Sequence, residues 1–404
     1  MKLNISDPIL ISMGPNSRKA GWGPYQFPEM KILPDGRLLV LFNDRLDSET
    51  VFGTERRCFV SADNGKTWTE DKESNFASEN GILLPNGDRV RFEELTSIPI
   101  ENIDLSGIES LGNVGHIEHK DQEFYRVEDI SRDICADTWM IHRVKKGETE
   151  CKLEPVVLNW PHKSLRVCRG VLIRLMPDAR LRIAPDGTLW IPHYCVGLDP
   201  ETGEFHPYDS NYLFCSNDNG YTWNLKHYMR FTPTNETEEK YEGFSENDIG
   251  FAPDGSLIRV TRTYGMYPRI EKPCVYGPTY ITRSEDGGET WSEPEVFDDR
   301  GCWPTLLTLK CGVTLCGYGR PGFFIRPSFD PACKKWEDRI EIVHSSGEGE
   351  PYVGCVHTKA TCSYCDMVAI DERTAGLVYS DFTIEDEDGN PRKCMMFRTI
   401  TVED

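Results

Sequence analysis

Four short stretches of this chain hold the side chains that could act chemically on a small molecule. Ser245-Glu246-Asn247 offers a carboxylate, with an arginine further along in Val260-Thr-Arg262-Thr. Cys362-Ser-Tyr364-Cys365 offers a phenol between two thiols, and Gly317-Tyr318-Gly319-Arg320 ends on a guanidinium, with Arg326 close behind. Phe42-Asn-Asp44-Arg45-Leu-Asp47-Ser48-Glu49 sets three acids around an arginine. A phenol, with its ordinary pKa near 10, attacks at neutrality only if a carboxylate draws off its proton. A guanidinium forks onto a carboxylate through two parallel N–H groups. Such types suit nucleophilic and acid–base work on a polar, anionic ligand. The plainer alternatives are a solvated loop acid, a structural tyrosine near a strand end, and a surface arginine paired with an aspartate. Cys362-Ser-Tyr-Cys365 is the one Cys-x-x-Cys. No second pair stands at zinc spacing and no histidine cluster joins it, so neither a metal site nor a cofactor is expected.

The elements that must position these residues are announced by repeats. Ser61-Ala-Asp63-Asn-Gly65-Lys-Thr67-Trp68, Ser216-Asn-Asp218-Asn-Gly220-Tyr-Thr222-Trp223 and Ser284-Glu-Asp286-Gly-Gly288-Glu-Thr290-Trp291 keep Asp, Gly, Thr and Trp in one register. The octet reads as a hairpin turn: Asp bonds backbone N–H groups two residues on, Gly takes a positive φ, and Trp re-enters the core. Ser328-Phe-Asp330-Pro-Ala-Cys-Lys-Lys-Trp336 is a degraded copy with one residue inserted. A second repeat precedes each octet: Leu33-Pro-Asp35-Gly36, Ala184-Pro-Asp186-Gly187 and Ala252-Pro-Asp254-Gly255, each between short apolar runs. From Asp35 to Asp63 is 28 residues, and from Asp186 to Asp218 and from Asp254 to Asp286 it is 32. That constancy predicts two hairpins of one four-stranded unit.

Inner-hairpin turns at Gly36, Gly87, Gly187, Gly255, Gly312 and Gly376 predict six such units. The gap from Gly87 to Gly187 leaves room for an insertion or for a seventh. Residues 97–160 match the repeats worst and are expected to form the second unit with long loops. No Ser/Gly-rich linker marks a second domain, so 1–404 reads as a single unit.

Composition agrees with a turn-rich β protein, because 38% hydrophobic and 11% aromatic residues supply a core and 34 Gly and 26 Pro supply the turns. The net charge of -21 repels nucleic acid and anionic membrane surfaces, so neither is an expected partner. The 15 cysteines, in a chain whose opening Met1-Lys-Leu-Asn-Ile-Ser lacks a leader pattern, are expected as reduced, packed thiols. This predicts a cytoplasmic protein, or a secreted one if a signal peptide has been removed.

The octets resemble the Asp-box of sialidases and other BNR-repeat β-propellers, and the likeness covers most of the chain outside 97–160. It implies an all-β, six-bladed propeller of four-stranded antiparallel blades, acting without cofactor on a glycan or glycoconjugate. By the same resemblance Tyr364 is the nucleophile, Glu246 its proton acceptor and Asp47 the general acid, with Asp44 and Glu49 in the same loop as alternatives. Arg262 and Arg320 would bind a substrate carboxylate, Arg326 being the nearby substitute for Arg320. The family's first arginine, in an Arg-Ile-Pro element, is replaced here by Gln26 in Tyr25-Gln26-Phe27-Pro28, with Arg18 or Arg45 as possible compensation. The implied activity is exo-acting, retaining release of a terminal α-linked sialic acid or related acidic ulosonic sugar. Another terminal sugar, or a non-catalytic glycan- or protein-binding propeller, are the alternatives.

Overall fold

The computed structural model describes residues 1–45, 56–72, 81–93, 97–114, 122–130, 138–168, 170–175, 177, 180–264, 276–345 and 360–404. Among these the structure is all β, and no helix is long and apolar enough to cross a membrane. Six antiparallel sheets follow one another along the chain. The first comprises Gln26–Ile32, Leu38–Asn43, Arg56–Ser61 and Thr69–Glu70, and the second Ile82–Leu83, Arg89–Phe92, Met140–Val144 and Cys151–Pro155. The third runs Arg182–Ile183, Leu189–Leu198, Phe205–Ser216 and Thr222–Met229, with Val157–Asn159 added in parallel at its edge. Asn247–Phe251, Leu257–Tyr264, Tyr276–Ser284 and Glu295–Asp298 make the fourth; Thr305–Thr308, Thr314–Gly319, Phe323–Ser328 and Ile340–Val343 make the fifth. The sixth joins Cys365–Ala369, Thr374–Asp381 and Arg392–Glu403 to Lys2–Ile5 and Ile9–Asn16 from the other end of the chain. Outer pairing of the last sheet with the N-terminal strands ties the two ends together.

Both repeats form hairpins, and the hydrogen bonds explain their letters. In the inner turn the Gly36 N–H donates to the Leu33 carbonyl at 2.9 Å and the Asp35 carboxylate accepts from the Arg37 amide, two residues on. Ala184 to Thr188 and Ala252 to Ser256 repeat this. In the octet the aspartate reaches further than the sequence suggests. Asp63 Oδ1 accepts from the Thr67 amide four residues on, at 2.9 Å, and Ser61 Oγ accepts from the Gly65 amide at 2.8 Å. Trp68 Nε1–H then donates to the Gly65 carbonyl at 3.0 Å. A Cβ on Gly65, whose φ is +89°, would lie 2.1 Å from the Phe397 ring, so this glycine is required twice over. The same bonds recur at Ser216 and Ser284, and in altered form at Ser328, where Trp336 donates to Cys333.

Two expectations change. The sixth inner turn is made by Ile370 to Thr374, whereas Gly376 lies inside a strand, where a side chain would strike Met30 and Phe397. Residues 97–160 are not loops on one sheet. They supply the outer strands of the second sheet, and with residues up to Ile173 they build a separate five-stranded sheet of Ser97–Pro99, Gly112–Val114, Gln122–Arg126, Ser164–Cys168 and Val171–Ile173. This stretch carries no octet, so the repeats could not announce it.

First strands of neighbouring sheets lie side by side around an axis, the first against the sixth, the sixth against the fifth, and the fifth against the fourth. That is the arrangement of a β-propeller. Aspartates at the second position of two inner strands latch it: Asp248 accepts from the Leu306 amide at 2.7 Å and Asp366 from the Met30 amide at 2.9 Å. Arg182 forks onto Asp248, and Arg180 reaches the Cys365 carbonyl at 2.6 Å and the Thr305 hydroxyl.

The core between the second and third sheets contains a titratable group. His193 is packed among Trp139, Trp160 and Tyr212, and burial, reinforced by the Arg166 charge, lowers its pKa to about 3. An unfolded histidine titrates near 6.5, so below that pH the unfolded chain takes up a proton that the folded chain refuses. Stability present above pH 6.5 is therefore lost as the pH falls toward 3, by about 1.4 kcal/mol per unit. Melting temperatures measured from pH 7 to pH 4 are expected to fall less steeply in His193→Phe than in the parent.

Candidate active site

Residues just before the inner strands of the fourth, fifth and sixth sheets, which lie side by side, supply the site. Glu246 precedes the inner strand of the fourth sheet, Tyr364 that of the sixth, and Cys302 and Trp303 that of the fifth. Antiparallel pairing fixes Glu246 opposite Arg262: the Ser245 amide donates to the Arg262 carbonyl, and the Arg262 amide donates to the Glu246 carbonyl. Arg320 follows the second strand of the fifth sheet directly, its amide donating to the Gly322 carbonyl.

The side chains converge on one carboxylate. Tyr364 Oη–H donates to Glu246 Oε1 at 2.7 Å. Glu246 Oε2 accepts from the Arg262 guanidinium, from the Trp303 amide at 2.9 Å and from the Cys302 thiol at 3.6 Å. Arg262 also lies 3.5 Å from Glu242, which accepts from the Ser245 hydroxyl at 2.7 Å. Tyr364, Glu246, Arg262 and Arg320 are all buried. The Tyr364 ring is flanked by Phe27 at 4.7 Å, Trp303 at 5.6 Å and the Arg320 guanidinium at 5.4 Å, with Trp22 on Arg320 at 5.5 Å. Arg320 donates to the Cys362 carbonyl at 2.9 Å.

Burial is the main reason the Tyr364 phenol is held well above its usual pKa, with the Cys302 and Glu246 groups adding to it and Arg320 and Arg262 opposing. The phenol therefore stays protonated until its proton has somewhere to go, and Glu246 Oε1 is in place to receive it. For Arg262, burial works against the charge, but Glu246 and Glu242 overcome it and keep the guanidinium charged. Burial pushes the Cys302 thiol up to about 12, which leaves it a hydrogen-bond donor. Backbone strain gathers here as well. Phe27, Trp303, Arg320 and Ser363 all have φ between 37° and 78°, a region that costs roughly 1–3 kcal/mol for such residues.

The structure thus unites Tyr364, Glu246, Arg262 and Arg320. Gln26 adjoins Phe27, whose ring packs on Tyr364. It is fully buried, and neither amide atom has a hydrogen-bond partner among the described residues. Gln26→Met removes an unpaired buried amide at nearly constant volume, so the melting temperature is expected to hold or rise, by up to about 1–3 kcal/mol in stability, in a thermal scan. Arg18 and Arg45 do not join the group: Arg18 is exposed in a turn with its amide on Asn16, and Arg45 is exposed beyond the second strand of the first sheet. Arg326, the substitute for Arg320, bonds the carbonyls of Glu337 and Phe297 instead. Asp47 and Glu49 lie outside the described residues, while Asp44 acts electrostatically on Tyr25 and Arg57.

Sequence reasoning missed Glu242, Cys302, Trp303, Trp22 and Arg180. Trp303 stands two residues before an inner strand, close to the position that Glu246 and Tyr364 hold before theirs. Arg180 links the group to the axis: it lies 5.7 Å from the Trp303 ring and bonds the carbonyl of Cys365, the neighbour of Tyr364.

No family model and no curated protein matches the chain. Solved structures do. A protein of unknown function from Dyadobacter fermentans DSM 18053 is similar at 15% identity over 99% of each chain, with a TM-score of 0.57. An α-L-arabinanase from Penicillium chrysogenum, bound to arabinobiose, shares 12% identity over 98% of each chain at a TM-score of 0.48. An α-L-arabinofuranosidase from Fusarium graminearum shares 13% over 97% of each at 0.47. At 15% identity the likeness to the Dyadobacter protein establishes a shared fold, and the chemistry has to be argued from the side chains at the axis.

Proposed function

We propose that this chain is an exo-acting, retaining glycoside hydrolase built as one six-bladed propeller. The observation that carries the reading is the buried Tyr364 phenol donating at 2.7 Å to Glu246, whose other oxygen is held by Arg262. In the first step Tyr364 Oη attacks the anomeric carbon of a terminal sugar while its proton passes to Glu246 Oε1. The bond to the leaving oxygen breaks, and that oxygen takes a proton from an acid, for which Asp47 is the candidate. Water then cleaves the glycosyl–tyrosine, the same acid now acting as base, and Glu246 returns the proton to the phenol. Arg320, face-on to the Tyr364 ring, favours the charge that builds on the phenol oxygen.

An acidic sugar, a terminal α-linked sialic acid or related ulosonic acid, suits this nucleophile because a neutral phenol meets no repulsion from an anionic substrate. Its carboxylate would rest on Arg320, with Arg262 already shared between Glu246 and Glu242. With Gln26 contributing no charge, that clamp is weaker than three arginines would make it. A panel of aryl glycosides, including neuraminic and ketodeoxy-octonic acid derivatives, tests the proposal, with the anomer first released identified by NMR. The expected result is release with retained configuration. Inversion would eliminate a Tyr364 intermediate, and binding of sugars without any release would make the propeller a glycan-binding module.

A further inference from the structure

Far from the axis, one face of the second sheet holds a thiol, an imidazole and a carboxylate in a row. Met140–Val144 pairs with Arg89–Phe92 on one side and with Cys151–Pro155 on the other, with His142 opposite Arg91 and Val144 between Arg89 and Cys151. Alternation along the strands puts His142, Arg89, Arg91 and Cys151 on the same face. Glu93, just past the end of Arg89–Phe92, continues the chain on that side. Its carboxylate meets His142 Nε2, and Cys151 Sγ lies 3.8 Å from His142 Nδ1. Glu93 fixes the tautomer: with Nε2–H turned to the carboxylate, Nδ1 is left as the acceptor for the thiol proton. Cys151 and His142 are partly exposed, unlike most of the described cysteines. Two arginines, Arg89 and Arg91, share that face.

The geometry points to Cys151 as a reactive thiol that forms mixed disulfides with low-molecular-weight disulfides, with His142 as its base and Glu93 as the group that orients His142. The thiol proton moves to His142 Nδ1, and the Cys151 thiolate attacks one sulfur of the incoming disulfide. The S–S bond breaks, a new bond joins Cys151 to the attacked sulfur, and the departing thiolate takes the proton from His142. One thiol and one disulfide give one mixed disulfide and one thiol, with no further oxidant needed. This site is separate from the glycosidase reading and stands or falls without it.

The test uses the whole folded protein and oxidised glutathione as the probe, with acid quenching at intervals and peptide mass spectrometry. Cys151 is expected to react about tenfold faster than Cys195 and Cys311, the other partly exposed cysteines described, because His142 stands in place to take its proton as it attacks. In guanidinium the advantage is expected to vanish, since it depends on the fold. His142→Asn and Glu93→Gln are each expected to slow Cys151 severalfold without changing Cys195. Equal rates at the three cysteines in the folded protein would overturn the assignment. So would a Cys151 advantage that survives both substitutions, or that persists in denaturant.

Discussion

Tyr364→Phe is expected to lower kcat by at least about a thousandfold, the loss typical of removing a catalytic nucleophile. Ring contacts with Phe27, Trp303 and Arg320 need only the ring, which phenylalanine keeps. The bond to Glu246 Oε1 is removed, while the other oxygen of that carboxylate retains Arg262, the Trp303 amide and the Cys302 thiol. Loss of one buried donor costs about 1–3 kcal/mol, which in a chain this long moves the melting temperature by only a few degrees. Activity and stability thus separate in a single substitution. The measurement is kcat/KM on whichever aryl glycoside the parent hydrolyses, with a thermal scan alongside. Retention of a tenth or more of the parent rate would show that another group attacks the sugar and that Tyr364 serves the fold.

Much of the scaffold was legible because the hairpin turns are written in short-range hydrogen bonds. Asp63, Gly65, Thr67 and Trp68 satisfy one another within eight residues, so their spacing survives as a motif in the chain. The separate sheet built from 97–173 has no such local grammar, and its pairings, such as Ser97–Pro99 with Val171–Ile173, join residues far apart in sequence. Within the site, Glu246 and Tyr364 could be picked out because each stands before a strand whose turn is recognisable. Cys302 and Trp303 stand three and two residues before the fifth inner strand rather than next to it, and nothing in their letters sets them apart although the turn at Gly312 was recognisable. Glu242 and Arg180 were invisible for a different reason. Their roles come from contacts across sheets, Glu242 on Arg262 and Arg180 on the Cys365 carbonyl, and no spacing in the sequence encodes those. The exposed positions of Arg18 and Arg45 follow the same logic: charge was visible in the sequence, direction was not.

Removing the carboxylate itself should affect chemistry and stability together, and Glu246→Gln is the substitution that shows it. As proton acceptor, Glu246 contributes what positioned general bases do, so kcat is expected to fall about a hundred- to ten-thousandfold. Stability suffers as well, because Arg262 is buried and loses the nearer of the two carboxylates described beside it, leaving Glu242 at 3.5 Å. Breaking a buried ion pair from one side costs about 3–5 kcal/mol, largely the penalty of the charge left behind. The amide oxygen can take the position facing Arg262 and the Trp303 amide and leave the NH2 to donate to the Tyr364 oxygen, which places the loss at the lower end. A second substitution sorts the two effects. Arg262→Met added to Glu246→Gln removes the stranded guanidinium, so the melting temperature should recover part of its loss while kcat stays low. If the double variant regains activity with its stability, the carboxylate was holding Arg262 in place rather than taking a proton from Tyr364. If Glu246→Gln alone keeps near-parental kcat, the phenol has a different acceptor, and the pair at the axis is a structural hydrogen bond.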